Sequence, residues 1–164
     1  MICFYFLLFR QCVYHLLLIS FDSIRNNQEE VSKLLRPVGV LKTIISQIHD
    51  VKTGDAVGYN RGFVANKPIR SATLPIGHAD GIGRLYGKGK GAVIIHGQKA
   101  PILGNVCMDM IMVDVTSIDC NEGDEVIVFG SVDASAEIVA EHADTISYEL
   151  LTAISQRVPR VIMP

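Results

Sequence analysis

The sequence predicts a mainly β fold, a small β-barrel or Greek-key-like domain with one or two short C-terminal helices. Two observations carry that expectation. From Val38 onward, short β-branched and apolar runs recur between Gly-, Asn- and Asp-rich turn signals. After Ala134 the apolar residues change to helical spacings of three and four. Strands that follow one another without intervening helices point to an all-β barrel or sandwich rather than to alternating β and α.

Residues 1–32 form a poorly specified apolar and polar leader, and residues 33–164 form the β-domain. In "MICFYFLLFRQCVYHLLLI", Arg10, Gln11 and His15 interrupt the apolar run short of the roughly 20 residues a membrane helix needs. The run has neither the basic start nor the small-residue cleavage site of a secretory signal. No membrane association is expected. "IRNNQEEVSKLLR", residues 24–36, carries Val31, Leu34 and Leu35 at helical spacing and is ended by Pro37. The strand-like runs that follow are "VGVLKTIISQI", "SATLPI", "AVIIHG", "MIMVDV" and "DEVIVFG". "KTGD", "NRG", "GKGKG", "HGQK" and "NEGD" are the turns between them. "SAEIVAEHADTISYELLTAISQRV" reads as two helices, the first capped by Ser135 and the second opening near Thr145 or Ser147. "VPRVIM" reads as a closing strand.

Composition removes several function classes. Lys and Arg number 15 against 17 Asp and Glu, Trp is absent and only 7% of residues are aromatic. Neither a basic footprint nor a base-stacking surface for nucleic acid is present. Cys3, Cys12, Cys107 and Cys120 lack CxxC spacing, which argues against a zinc site or disulfide framework and for a reducing cytoplasm.

The chemistry concentrates in a few places. "TLPIGHADGIGRL" sets His78 and Asp80 between Gly77 and Gly81. An imidazole with an ordinary pKa of about 6.5 moves protons near neutrality, and the glycines allow a sharp turn. Cys107 has no basic neighbour in sequence to make it a thiolate, so it reads as core. Asp109 and Asp114 fall on opposite faces if their segment is one strand, which argues against a metal pair. Tyr148 reads as a buried, satisfied hydroxyl or as a donor to an anionic ligand. "GKGKG" lacks the GxxxxGK[ST] phosphate-loop pattern and reads as a hairpin turn.

Taken in order, "GDAVGYNRGF", "ATLPIGHADG", "GQKAPILGNVCMDMIMVDVT", "EGDEVIVFG" and "ISYELLTAISQRVPRV" resemble the C-terminal β-domain of alanine racemases. The resemblance runs from Leu34 to the end. It implies an isomerase that interconverts L- and D-alanine with pyridoxal 5'-phosphate for peptidoglycan synthesis. In such enzymes a (β/α)8 barrel holds the cofactor on a lysine, and the β-domain completes the site of the partner in a head-to-tail homodimer. The "GHADG" loop resembles GYADG, whose tyrosine the resemblance makes one of two catalytic bases, so His78 stands at a tyrosine's position. Met108 matches the residue whose backbone N–H holds the substrate carboxylate. Tyr148 matches the tyrosine that donates to the cofactor phosphate, and Asp80 the aspartate that supports the turn. Nothing in the chain resembles the lysine-bearing barrel segment. The expectation is therefore a racemase fragment whose first twenty or so residues are out of register, inactive alone. A non-catalytic interaction module and a related decarboxylase are the alternatives.

Overall fold

In the computed structural model the described residues are 3–7 and 39–163. The elements are β1 (Cys3–Leu7), β2 (Gly39–Ile44), β3 (Gln47–Val51), β4 (Ala56–Val57), β5 (Phe63–Val64), β6 (Ile69–Leu74), β7 (Ala92–Ile95), β8 (Gln98–Leu103), β9 (Ile111–Asp114), β10 (Glu125–Phe129), α1 (Ala136–Glu141), α2 (Ser147–Ala153) and β11 (Arg160–Met163). The main sheet runs β11-β1-β2-β10-β7-β8-β9-β6-β3, and β4 and β5 form a separate ribbon.

Seven of these strands, from β2 across to β3, make a curled antiparallel half-barrel. The curl follows from chain connectivity. β2 and β3 lie at opposite ends of the seven, yet only Ile45 and Ser46 separate them in sequence. A flat sheet cannot bring its two ends together through two residues, so the sheet must bend back on itself. At that corner Ile45 N–H donates to Asp124 O and Ser46 N–H to Thr73 O, so the backbone keeps its partners through the bend. A second bend lies within β8. Gln98 to Pro101 pair with β7, and Ile102 and Leu103 pair with β9.

The alternating residues of these strands fill the interior. Leu41, Leu74, Ile95, Val113, Val126 and Phe129 are all fully buried, each burial stabilising by roughly 1.5–3 kcal/mol. Val139 of α1 and Leu150 of α2 join the same core, so the helices are held by their apolar faces rather than by their short length. A smaller cluster of Val51, Val57, Ala65, Ile69, Leu103, Cys107 and Met112 lies under the β4–β5 ribbon.

The mainly β architecture with two short helices near the C-terminus is the one the sequence implies. Ser135 caps α1, its Oγ accepting from Ile138 N–H at 3.3 Å, and α2 opens at Ser147. The helix expected over 24–36 lies outside the described residues. Cys3–Leu7, within the expected leader, pairs with β2 and β11. Two turn readings change. In "HGQK" only His96 and Gly97 form the turn, with φ of 47° and 76°, while Gln98 and Lys99 already belong to β8. "GKGKG" closes no hairpin, because the strands on either side of it, β6 and β7, are not neighbours. Lys88 and Gly89 instead donate to Gly104 O and Ile102 O.

Leu74→Ala is expected to cost about 2–5 kcal/mol, read as a lowered urea midpoint at unchanged slope.

Candidate functional site

His78, Asp80, Cys107, Met108 and Asp109 lie in or against one loop, Gly104–Met110, which connects β8 to β9. Two turns dock on it. The first, Gly77–Gly81, leaves the sheet after β6 and makes a 3-10 turn over His78–Asp80. His78 N–H donates to Cys107 O at 2.9 Å and Ala79 N–H to Met108 O at 2.8 Å. The docking requires glycine at 77. A Cβ there would lie 2.6 Å from both Met108 O and Met110 N, closer than any side-chain carbon approaches backbone.

Asp80 organises the turn from inside. Its side chain is 1% exposed, Oδ2 accepts from Gly77 N–H at 2.8 Å, and Oδ1 accepts from Arg157 Nε at 2.7 Å. Burying a carboxylate is costly unless its lone pairs are used, and here both oxygens are engaged. Gly81, at φ 108°, ends the turn in the left-handed region. Arg157 reaches further, donating Nη2 to Asp109 Oδ1 at 2.7 Å. Hydrogen bonds to Asp80 first, and to Asp109 second, hold its guanidinium even further above the range where it could lose a proton.

The second turn, Gly58–Gly62, joins the β4–β5 ribbon and was missed as a candidate. Gly58, Asn60 and Arg61 have φ of 77°, 58° and 51°. Asn60 and Arg61, successive non-glycine residues at positive φ, store strain of the kind that gathers at functional sites. Asn105 Nδ2 donates to Tyr59 O at 3.0 Å, tying this turn to the same loop. The tyrosine between those glycines is 64% exposed. The sequence signal was present in "GYNRG", where "NRG" was read only as a turn.

The other expected residues are placed as follows. His78 is exposed, and no hydrogen bond orients its ring among the described residues. Met108 is exposed, and its N–H meets no acceptor among the described residues. Tyr148 is exposed on α2 with no partner for its hydroxyl among the described residues, so the buried, satisfied reading falls. Among the described residues Tyr86 is a buried tyrosine, and burial, with Glu149 adding to it, pushes its phenol up. Cys107 is buried as expected of core. Asp109 lies before β9 begins, so the strand period does not relate it to Asp114. It pairs with Arg157, and Asp114 accepts from Thr116. Among the described residues no three His, Cys, Asp or Glu side chains gather into a metal site, and no helix is long and apolar enough to cross a membrane.

The loop thus offers a Met108 N–H with no acceptor among the described residues, flanked by two turns that expose the Tyr59 phenol and the His78 imidazole. The family model described as "Alanine racemase, C-terminal domain" matches residues 38–162. The chain belongs to the alanine racemase C-terminal domain family. The alanine racemase of Halothermothrix orenii is 47% identical over 130 residues, covering 77% of the chain and 34% of that protein. That of Clostridium novyi is 45% identical over 143 residues, covering 83% and 36%. Among solved structures, the Clostridium difficile alanine racemase in complex with cycloserine aligns at TM-score 0.74 and 42% identity, over 79% of this chain and 34% of its own. The Bartonella henselae alanine racemase with covalently bound pyridoxal phosphate aligns at TM-score 0.73 and 34% identity, over 77% and 35%. The chain thus spans about a third of the length of the relatives it matches.

Gly77→Ala is expected to destabilise by about 1–3 kcal/mol through overpacking. The loss should appear first in amide exchange at His78 and Ala79, ahead of the strands.

Proposed function

We propose that this chain is the C-terminal part of an alanine racemase, and that its Gly104–Met110 loop and two flanking turns complete a pyridoxal-phosphate site whose remainder lies on a separate barrel. The observation that carries the reading is the Met108 N–H, unpaired among the described residues, in a loop held from two sides. A fixed donor without an internal acceptor suits a substrate carboxylate, because its hydrogen bond is made only to the ligand.

The residues present fit the cofactor in part. Tyr148 offers an unpaired, half-exposed hydroxyl to a phosphate. The lysine that would anchor the cofactor, which needs an apolar, desolvating pocket, belongs to the barrel in this reading. Bound there, pyridoxal 5'-phosphate supplies the electron sink that acidifies the substrate α-carbon. The chain alone is then inactive. It requires a complementary barrel or a homodimeric partner, and L- and D-alanine are its substrates.

Proton transfer on this chain's side is assigned to Tyr59. The resemblance places its tyrosine base at the position of His78, and Tyr59 is instead an exposed tyrosine on the neighbouring turn docked to the Met108 loop. The second reading keeps His78 as the base. It is favoured by its turn's direct hydrogen bonds to Cys107 and Met108. A histidine is about 3.5 pH units more acidic than a tyrosine, so the two predict different pH profiles.

The test mixes the chain with a separately expressed alanine racemase barrel and pyridoxal phosphate. Racemisation is expected from the mixture and from neither part. Tyr59→Phe should lower it about 10²–10⁴-fold, the usual worth of a general acid or base, and His78→Phe by less than about tenfold. The reverse ranking would move the role to His78. Stable binding without racemisation would favour a non-catalytic interaction module, and loss of CO2 without D-alanine would favour a decarboxylase.

A further inference from the structure

Three segments converge beside Met108: the Gly77–Gly81 turn after β6, the Gly104–Met110 loop between β8 and β9, and Ser155–Arg157 after α2. The first two are joined by main-chain hydrogen bonds at His78 and Ala79. The third is joined to the first twice, through Ser155 N–H donating to Asp80 O at 3.1 Å and through Arg157 Nε donating to Asp80 Oδ1. One contact spans from this third segment to the loop, Arg157 Nη2 to Asp109 Oδ1 at 2.7 Å. Asp109 is the residue directly after Met108, so the guanidinium grips the loop one residue beyond the unpaired N–H.

We propose that Arg157 is a positioning residue that sets the orientation of the Met108 N–H by clamping Asp109 to Asp80. The proposal rests on the reading of Met108 as the carboxylate donor. The two carboxylates differ in what they give Arg157. Asp80 is buried at 1% exposure, takes Gly77 N–H on its other oxygen, and cannot move without disturbing the turn. Asp109 is exposed, with a side chain 59% accessible, and is the movable partner. A planar guanidinium with several N–H groups in a fixed fork can hold both at once, each at 2.7 Å. A lysine ammonium, a single point charge, cannot reproduce that spacing. The clamp therefore transmits the rigidity of the buried turn to the exposed end of the loop, Met108–Met110, beyond the point where Val106 and Cys107 anchor it in the core.

The segments lie far apart in sequence. Asp80 is 77 residues from Arg157 and Asp109 is 48 from it. The arrangement exists only once the half-barrel has curled and α2 has docked.

The experiment is amide hydrogen exchange on the full chain as wild type, Arg157→Gln and Asp109→Asn. Arg157→Gln should speed exchange at Gly77, His78 and Ala79 by about tenfold or more, while Ile94 and Val113 in the strands keep their protection. Asp109→Asn, a change at an exposed side chain, should speed Ala79, whose acceptor is Met108 O, and leave Gly77 protected by Asp80. Unchanged exchange at Ala79 in both variants, or a loss shared equally by the strands, would overturn the proposal. In the reconstituted enzyme, Arg157→Gln should raise KM for alanine about tenfold with a smaller change in kcat, and Arg157→Lys should not rescue it. An unchanged KM would count against the clamp. Absence of racemisation in the wild-type mixture counts against the racemase reading alone, because the exchange result does not depend on activity.

Discussion

The contact on which the site depends is the one between Gly77 and the backbone of residues 107–110. No side chain fits between them. Because the turn lies directly on the loop, His78 and Ala79 can reach Cys107 and Met108 with their N–H groups. Those bonds occupy the carbonyls on one side of the loop and leave the Met108 N–H without an acceptor among the described residues. Asp80 then has to be buried beneath the turn, and a buried carboxylate needs donors on both oxygens. Gly77 N–H supplies one and Arg157 the other. Each step follows from the cost of leaving a polar group unpaired away from water.

The barrel makes that contact possible. β6 and β9 are antiparallel neighbours, with Leu74 opposite Ile111. The turn leaving β6 and the loop entering β9 therefore emerge side by side at one end of the sheet. The bend within β8 delivers the start of that loop to the same end, and the β4–β5 ribbon covers it from the other side over Cys107 and Met112. The candidate site sits at the rim while the sheet supplies the rigidity, the division of labour general to loops on a stiff scaffold.

Sequence reading recovered what is local. β2, β6, β7, β9 and β10 have the apolar texture of half-buried strands, and the Ser135 cap depends on a contact three residues long. β8 was hidden because Pro101 and the polar Gln98 and Lys99 break the expected texture. The strand forms because β7 and β9 supply its partners, and no window of sequence contains them. Asp109 and Arg157 were illegible for a stronger reason. Their meaning lies in an ion triad assembled from three distant segments, and each residue alone looks like an ordinary surface charge. Tyr59 was legible in principle, between two glycines in "GYNRG", but its exposure and the left-handed backbone around it emerge only in the fold.

In the proposed function the chain is one face of a larger catalytic assembly, supplying donors and a proton-transfer group and leaving the cofactor lysine to a partner. The most direct measurement is a crystal structure of the chain bound to an alanine racemase barrel with pyridoxal phosphate and alanine present. The account predicts that the Gly104–Met110 loop faces the barrel mouth, with Met108 N about 2.7–3.2 Å from a substrate carboxylate oxygen. A complex in which that loop points to solvent, or in which another group takes the carboxylate, would contradict it.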